Sequence, residues 1–321
     1  MPAGERTDTR EAWTAFWQGP VANLQCIRGA PEVTQALRGH WASFAASLPP
    51  ETRVLDLGCG AGAAARSLVA ARRDLRVTGI DFARIPSPTD PHIHLLSGTA
   101  MESLPFADAS FGAAVSQFGF EYGRIEETAV QLARVLAPGA RLSFLVHHAE
   151  SSIVASNRAR LGALVALQEQ KTRAAFLSGN AAAFAAEMAS LRRRHPRDTL
   201  VAELARILPP RARLGGRERL SAWSAVERAL APEHRILEAL DACCVAPESL
   251  EDWLEPLGRF CDLGKPAILR KPNGQPISWR IGGALRQPVE SSSPALCGRP
   301  NFLEEEEIGL PGPLAKLRAG Q

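Results

Sequence analysis

The stretch VLDLGCGAGAAARSL, from Val54 to Leu68, constrains the fold of this chain more than any other. A short apolar run meets a glycine-rich turn, and an alanine-rich helical pattern follows the turn directly. This order predicts a buried strand, a loop whose backbone approaches a ligand, and the first turn of a helix. The turn fits the loose dinucleotide fingerprint Gly-x-Gly-x-x-Ala from Gly58, and it also fits Asp-x-Gly-x-Gly-x-Gly from Asp56.

Apolar strand patterns and helical patterns alternate between Arg53 and about His148. This alternation predicts an α/β fold in which a parallel sheet is covered by helices on both faces. Five strands are predicted, at residues 53–58, 76–81, 93–98, 111–118 and 140–148. Ligands of such sheets bind beyond the carboxyl ends of the strands, which is where the glycine loop and Asp81 lie.

The N-terminal segment, residues 1–50, carries helical patterns. Trp13, Phe16 and Trp17 fall at i, i+3 and i+4, so they share one helical face. A face of this kind either docks on the core or forms a lid over a ligand, and the pattern allows both interpretations.

Residues 151–260 have the pattern of almost continuous helix. A crossover between parallel strands needs a dozen or more residues, and this segment is several times longer. We therefore expect a helical insertion that acts as a cap or as a dimerisation element. Residues 261–288 return to strand patterns around a hairpin signal at Asn273-Gly274, and residues 289–321 form a polar C-terminal tail.

Composition excludes several classes of function for this chain of 321 residues. The net charge is +3, with 37 basic and 34 acidic residues, so no strong attraction to nucleic acid or to a membrane surface is expected. No apolar run reaches 18 residues, so we expect no membrane span. The six cysteines form no Cys-x-x-Cys pair and no zinc-finger spacing, which predicts reduced thiols, no metal site and a cytoplasmic location.

The charge of Asp56 discriminates between the two classes of ligand. Its carboxylate would repel a pyrophosphate on the adjacent loop, whereas it would attract a ligand that carries an ammonium group. Asp81 ends the second predicted strand 23 residues after Gly58, where its carboxylate can accept hydrogen bonds from both ribose hydroxyls. The first carboxylate therefore favours a cationic ligand, while the second suits a ribose in either class.

Four motifs occur in a fixed order: VLDLGCGAG, GIDFA, LPFADASFGAAVSQ and LARVLAPGARLSFLV. With them the chain resembles the class I S-adenosylmethionine-dependent methyltransferases, and most of all the branch that includes the ubiquinone/menaquinone C-methyltransferases. The resemblance covers roughly residues 50–148 and implies a core at residues 51–150 that binds S-adenosyl-L-methionine. It also implies a Rossmann-like, mostly parallel seven-stranded sheet with an antiparallel last strand, to which the helical insertion is added.

The resemblance assigns the methionine and ribose portions of the cofactor to the ends of the first two strands. Asp56 would receive the ammonium group, directly or through water, and Asp81 would bind the ribose hydroxyls. The loop positions implied in cofactor binding are Gly58, Cys59, Gly60 and Gly62.

Contacts with the adenine ring and the sulfonium are implied at the next strand ends. Phe82 would pack on the adenine ring. The edge of that ring would be bordered by three residues after the third strand: Ala100, Met101 and Glu102. The sulfonium side would face three residues at the end of the fourth strand: Ser116, Gln117 and Phe118.

Two positions depart from the family pattern. The usual Asp near Thr99 is absent, and Gly112 replaces the Asp of a usual Phe-Asp pair. Adenine recognition is therefore expected from backbone groups or from Glu102, while the glycine loop and the ribose carboxylate are unaffected.

Methyl transfer is an in-line displacement at carbon, so the protein mainly aligns the acceptor and excludes water. A general base is needed only where the acceptor must lose a proton. Glu121 and Tyr122 follow the fourth strand, and His147 and His148 lie at the end of the fifth. The candidate catalytic residues are Glu121, Tyr122 and His147. A helix start, a helix cap and core packing are the alternatives for these side chains. Aromatic faces that can stabilise a sulfonium are offered by Trp17, Phe118, Phe120 and Tyr122.

The expected acceptor is a small molecule, because a helical cap encloses a pocket. The Asn/Asp-Pro-Pro-Tyr/Phe motif of nucleic-acid and glutamine methylation is absent after the fourth strand, and no basic stripe interleaved with aromatic residues indicates RNA. Two alternatives remain: a protein or RNA methyltransferase that docks its substrate on the insertion, and a non-catalytic protein with the same fold. A homodimer formed through the insertion is a further expectation.

Overall fold

The structure, a computed structural model, describes residues 3–18 and 31–287, which lie within one compact unit. The tail expected at residues 289–321 lies outside the described residues. Within these ranges eight strands form one mixed sheet: β1 (Arg53–Leu57), β2 (Arg76–Asp81), β3 (Ile93–Ser97), β4 (Phe111–Gln117), β5 (Leu136–Val146), β6 (Cys261–Leu263), β7 (Ala267–Arg270) and β8 (Pro276–Leu285).

The strand order is β3-β2-β1-β4-β5-β8-β6, and β7 also pairs with β8. Strands β1 to β5 run parallel, whereas β8 is antiparallel to β5, β6 and β7. This confirms the predicted Rossmann-like α/β fold with an antiparallel last strand. The described chain has eight strands rather than the seven expected, because β6 and β7 pair with opposite ends of the long strand β8.

Ten α-helices accompany the sheet in the described part of the chain: α1 (Ala3–Gln18), α2 (Pro31–Ala46), α3 (Ala63–Ala71), α4 (Ile125–Val135), α5 (Ser152–Gln168), α6 (Gln170–Leu177), α7 (Ala181–Arg194), α8 (Thr199–Ile207), α9 (Gly216–Cys243) and α10 (Leu250–Gly258). Ser151, Asn180 and Asp198 accept backbone N–H hydrogen bonds at the starts of α5, α7 and α8, which fixes where these helices begin. None of the helices described is both long and apolar enough to cross a membrane.

Two hydrophobic clusters lie on the two faces of the sheet and give it three layers. One cluster contains Leu57 and Phe144 and packs α4 and α10 against the sheet. The other contains Trp41 of α2 and Leu68 of α3 together with Val115 of β4. Because both faces are covered, the central strands are apolar on both sides, as the continuous apolar runs of the sequence predicted.

The segment from α5 to α9 has a hydrophobic cluster of its own. Its centre is aromatic: the ring of Phe176 lies 5.0 Å from that of Phe184 and 5.2 Å from that of Trp223. Leu164 and Leu167, two of the apolar residues for which a second subunit was considered, are buried in this cluster. The residues of this cluster therefore pack on one another and do not require a dimer partner, while Val165, Leu214 and Leu220 of the insertion are exposed.

The two ends of the insertion meet at the carboxyl end of β5. The Val245 N–H donates to the His147 carbonyl oxygen over 2.9 Å, and the Ala149 N–H donates to the Val245 carbonyl oxygen over 3.0 Å. The indole Nε1 of Trp279 in β8 donates to the same Val245 oxygen over 2.9 Å. The chain thus leaves the sheet and returns to it at one place.

Candidate functional site

A pocket lies at the carboxyl ends of the parallel strands and beneath α1. Its walls come from α1, from the ends of β1, β2 and β4, and from the loop that follows β3. The lining residues are Thr9, Arg10, Trp13, Trp17, Gly58, Ile80, Asp81, Phe82, Ala83, Thr99, Ala100, Met101, Glu102, Phe118, Gly119, Tyr122 and Gly123. Seven of the expected cofactor positions are among them: Gly58, Asp81, Phe82, Ala100, Met101, Glu102 and Phe118.

The glycine loop between β1 and α3 needs its glycines for two physical reasons. Gly58 and Gly60 have φ angles of +62° and +50°, in the left-handed region that side chains disfavour. A Cβ on Gly58 would lie 2.7 Å from the Cα of Gly119, so the loops after β1 and β4 touch through their backbones. The floor of the pocket is consequently main chain rather than side chain.

Asp81, at the end of β2, fixes this loop. Its Oδ2 accepts the N–H of Gly60 and its Oδ1 accepts the N–H of Ala83, each over 2.8 Å. Burial raises the pKa of Asp81 to about 6, although the two backbone hydrogen bonds favour the ionised form. The carboxylate that was expected to bind ribose therefore also holds the loop and the chain that follows β2.

Asp56 is a buried carboxylate next to the glycine loop, and it does not line the pocket itself. Neither of its oxygens has a hydrogen-bond partner among the described residues. Burial raises its pKa to about 8 and the Asp81 charge adds to the rise, although the nearby Ala65 backbone N–H and the Arg66 charge lower it. An unpaired buried carboxylate suits a ligand with a positive charge, so the residues present fit the ammonium group of S-adenosylmethionine.

Three of the expected cofactor side chains are directed elsewhere. Cys59 faces β2, because a Cβ on Gly79 would lie 2.7 Å from its Sγ. The Ser116 hydroxyl donates to the Leu57 carbonyl oxygen over 2.7 Å and ties β4 to β1. The Gln117 Oε1 accepts the indole N–H of Trp41 over 2.6 Å, on the α2 side of the sheet. The expectation that Ser116 and Gln117 face the sulfonium is therefore wrong. Strand β4 is covered on both faces, and its two side chains hydrogen-bond to β1 and to α2 instead.

The last two loop positions contact protein atoms. A Cβ on Gly62, whose φ is +79°, would lie 3.3 Å from Leu95, so this glycine serves the start of α3. A Cβ on Gly60 would lie within 3 Å of the indole of Trp17 in α1. Glu102, which was considered for adenine recognition, accepts the Arg124 N–H over 3.0 Å at the start of α4.

Glu121 and His147 form a buried pair behind the pocket. Glu121 lies in the short turn Phe120–Tyr122 after β4, and the pairing of β4 with β5 brings this turn beside His147. The Glu121 Oε1 accepts the backbone N–H of His147 over 2.8 Å and lies 2.6 Å from its Nδ1. A carboxylate at Nδ1 places the proton there, which leaves Nε2 as a lone-pair acceptor. Neither His147 Nε2 nor Glu121 Oε2 has a partner among the described residues.

Phe118 and Tyr122 connect this pair to the pocket. Their rings lie 4.4 Å and 6.2 Å from the His147 ring, and both residues line the pocket. Phe118 has a φ of +59°, which is unusual for a residue with a side chain. His148 is directed away, because its ring stacks on Trp279 at 4.3 Å and its Nδ1 accepts the Glu150 N–H.

The sequence patterns did not anticipate that Arg10 of α1 would line the pocket. The Arg10 guanidinium lies 5.3 Å from the centre of the Phe82 ring. Arg10, Trp13 and Trp17 are spaced i, i+3 and i+7, so they share a helical face and all line the pocket. Only this spacing could have drawn attention to Arg10, since a charged residue on a helix is normally solvated. Among the described residues no group of three or more His, Cys, Asp or Glu side chains could hold a metal ion.

Comparison with known proteins gives a match over the same part of the chain. Residues 55–144 match the family model described as a methyltransferase domain. The chain is 36% identical over 104 residues to a malonyl-[acyl-carrier protein] O-methyltransferase of Methylococcus capsulatus, which covers 30% of this chain and 38% of that protein. It is 36% identical over 146 residues to an O-methyltransferase of Aspergillus nomiae, which covers 40% of this chain and 59% of that protein.

A third relative belongs to the branch that the motifs resemble. The chain is 36% identical over 102 residues to the ubiquinone/menaquinone biosynthesis C-methyltransferase of Syntrophotalea carbinolica, covering 29% of this chain and 43% of that protein. The chain thus matches less than two thirds of the length of each of these relatives. The resemblance inferred from the sequence motifs is confirmed over the strands that carry the pocket.

Proposed function

We propose that this chain, which contains a class I S-adenosylmethionine-dependent methyltransferase domain, transfers a methyl group from S-adenosyl-L-methionine to a small-molecule acceptor. One observation carries the proposal. The buried Glu121–His147 pair has an unpartnered Nε2, and the rings of Phe118 and Tyr122 connect it to a pocket built on the glycine loop. This arrangement offers a cofactor site and a proton acceptor at one edge of the sheet.

Four side chains are suited to hold the cofactor. Asp56 offers a buried carboxyl group whose oxygens have no hydrogen-bond partner among the described residues, and an ammonium group would favour its ionised form. Asp81 offers two carboxylate oxygens at the end of β2, where a ribose is expected. Phe82 and Met101 line the apolar part of the pocket and suit the adenine ring. When bound, the cofactor supplies a methyl group on a positively charged sulfur that is a good leaving group.

His147 would receive the proton of the acceptor at Nε2. Glu121 holds the opposite nitrogen, so it fixes the orientation of the ring and stabilises the imidazolium that forms. Phe118 and Tyr122 present aromatic faces that exclude water and can stabilise the sulfonium charge. The acceptor atom is then an oxygen, a nitrogen or an acidic carbon that loses a proton as the methyl group arrives.

A small acceptor is supported by the enclosure of the pocket. Helix α9 of the insertion packs beside the turn that carries Glu121, so one wall of the acceptor side does not depend on α1. One relative named above is called a C-methyltransferase of ubiquinone/menaquinone biosynthesis, and a quinone is a small molecule. The net charge of +3 gives no indication of a strong electrostatic attraction to nucleic acid.

The test is transfer of a radiolabelled methyl group from S-adenosylmethionine into a cell extract that is separated into metabolites and macromolecules. We expect label in the metabolite fraction. With the acceptor found in this way, His147→Gln should lower kcat about 10²- to 10⁴-fold, while the Kd of S-adenosylhomocysteine stays unchanged. His148→Gln is the matched control, because its ring packs on Trp279. Label in protein or RNA, or a normal kcat for His147→Gln, would contradict the proposal.

A further inference from the structure

Helix α1 touches the glycine loop directly. A Cβ on Gly60 would clash with Cζ2 of Trp17 and lie 2.6 Å from its Cη2. The indole therefore lies in van der Waals contact with the main chain of the loop, on the face that the missing side chain leaves open. Nothing else fits between the indole ring and Gly60.

Two more side chains of α1 lie on positions that the cofactor and the acceptor are expected to use. The Arg10 guanidinium covers the ring of Phe82 at 5.3 Å, where the adenine ring is expected to pack. The Trp13 ring meets the edge of Tyr122 at 5.5 Å, on the acceptor side. One helical face thus covers the adenine, methionine and acceptor parts of the pocket together.

We propose that α1 acts as a plug over Gly60: Trp17 blocks this part of the cofactor site, and S-adenosylmethionine must displace Trp17 from Gly60 in order to bind. The proposal rests on the proposed function, because it takes the glycine loop as the cofactor site. A glycine allows close approach of one group on its open face, and Trp17 already makes that approach. The cofactor and α1 in its present position therefore compete for the same surface.

The attachment of α1 is suited to release. Among its described side chains only Ala12 is fully buried, whereas Trp13, Phe16 and Trp17 are half-buried. Helix α2, by contrast, buries five residues, among them Trp41 at 0% exposure. Among the described residues, the Arg84 N–H of the sheet domain donates to the Thr14 hydroxyl of α1 over 3.0 Å. Helix α1 therefore gives up much less buried surface than α2 would.

The plug also connects the cofactor site to the insertion. Helix α1 packs along α9, the longest helix of the insertion described. When α1 moves, Trp13 leaves Tyr122, so the ring beside His147 becomes accessible. Cofactor binding would in this way open the acceptor side, which gives an ordered reaction with the cofactor first.

The decisive variant is Trp17→Ala, measured by calorimetry with S-adenosylhomocysteine as the probe. In the wild-type protein only the molecules with α1 displaced can bind, which weakens the apparent affinity. Without the Trp17 ring this fraction rises, so the Kd should fall roughly threefold to tenfold. Ala15→Gly weakens the helix at an exposed position without changing a pocket side chain, and it should shift the Kd in the same direction. Glu11→Gln, exposed on the same helix, should leave the Kd unchanged.

Hydrogen exchange of the full chain provides a second readout that does not depend on activity. The backbone amides of residues 3–18 should exchange faster when S-adenosylhomocysteine is bound. Unchanged or slower exchange would contradict the plug. So would a Trp17→Ala variant, folded by circular dichroism, that binds S-adenosylmethionine more weakly, since Trp17 would then be a wall of the bound site. If no variant and no wild-type protein binds either compound, the proposed function itself fails.

Discussion

The carboxyl edge of the sheet and the helical insertion treat ionisable groups away from solvent in opposite ways. At the sheet edge, Asp56 is buried and its two oxygens have no hydrogen-bond partner among the described residues. In the insertion, three nitrogens of Arg160 donate to Asp198 and Glu233 over 2.7 to 3.0 Å. Without a partner, a buried carboxyl group is driven towards its neutral form, whereas the paired groups of the insertion compensate one another. The difference separates a region kept for a ligand from a region that supports it.

The backbone follows the same division. Phe118, at the sheet edge, adopts a left-handed φ of +59° that costs about 1–3 kcal/mol for a residue with a side chain. Helices α5, α7 and α8 of the insertion begin instead at Ser151, Asn180 and Asp198, whose side chains satisfy the first N–H groups. The sheet edge holds backbone strain where chemistry is proposed, and the insertion begins these helices with favourable local structure.

The strongest test of the comparison is removal of the insertion. Residues 156–240 would be replaced by a short glycine-serine linker, which the bonds between Val245, His147 and Ala149 allow. We expect methyl transfer to be lost, because the acceptor side loses a wall, while S-adenosylhomocysteine still binds. Calorimetry and the radiolabel assay measure the two effects. Normal turnover of the shortened protein would show that the insertion has no part in the site.

The second test concerns a single carboxylate at the sheet edge. Asp81→Ala removes the acceptor of the Gly60 and Ala83 N–H groups as well as the expected ribose contact. A lost charged hydrogen bond costs about 1.5–3 kcal/mol, or roughly 10- to 150-fold in affinity for S-adenosylhomocysteine. Asp262→Ala, at an exposed position in β6, is the control. An unchanged Kd for Asp81→Ala would refute the ribose assignment.

The third test addresses the insertion. Arg160→Met leaves Asp198 and Glu233 without their partner, so the free energy of unfolding should fall by about 1.5–3 kcal/mol. Arg158→Met is the matched control on the same helix: its pair with Asp241 is about half exposed, and such pairs contribute about 0–1 kcal/mol. Urea unfolding measures both values. A change in the Kd of S-adenosylhomocysteine in either variant would contradict the separation of the two regions.

The last test changes a slope rather than a single value: the pH dependence that Asp56 gives to the free energy of unfolding. Its pKa is about 8 in the folded chain and near 4 in the unfolded chain. Between pH 4 and pH 8 the carboxyl group is therefore protonated in the folded chain and ionised in the unfolded chain. The carboxyl group therefore makes the free energy of unfolding fall as the pH rises from about 4 to 8, by at most about 1.4 kcal/mol per pH unit. Asp56→Asn should reduce this slope, whereas Asp108→Asn at an exposed position should not.

Urea unfolding at several pH values between 5 and 8 checks this expectation. The same carboxyl group should lose its proton when S-adenosylhomocysteine binds, because the ammonium group favours the ionised form. Calorimetry in two buffers with different enthalpies of ionisation measures that release. Equal proton release by the wild-type protein and by Asp56→Asn would show that another group receives the ammonium group.

The sequence predicted the sheet and the glycine loop because both depend on local pattern. Apolar runs, glycines and the acidic residues at the strand ends are visible within a few residues of one another. The start of β5 was not predicted: the strand begins at Leu136 rather than at residue 140, because Leu136 pairs with Phe111 ahead of a register shift. The side chain of Gln117 was misassigned because a strand buried on both faces gives no polar side from which to judge direction.

The hydrogen bond between Glu121 and His147 depends on strand pairing. The sequence placed both residues at strand ends, but their contact follows from the register in which Gln117 lies opposite Leu145. The contact between Trp17 and Gly60 is more distant still, since it joins a helix outside the sheet to a loop 43 positions further on. Spacing along one element predicts a shared face, and it does not identify the surface that the face will cover.

The meeting of the two ends of the insertion at Val245 has a consequence for how the chain folds. Strand β8 must find β5 across more than 130 residues, since Val146 lies opposite Trp279. The entropic cost of closing a loop grows with its length, by about 0.6 kcal/mol for each doubling. An insertion that has already folded holds its ends together, so it acts as an internal crosslink and shortens the loop that remains. Folding of the helical segment first therefore speeds completion of the sheet, and the extra length of the chain need not slow its assembly.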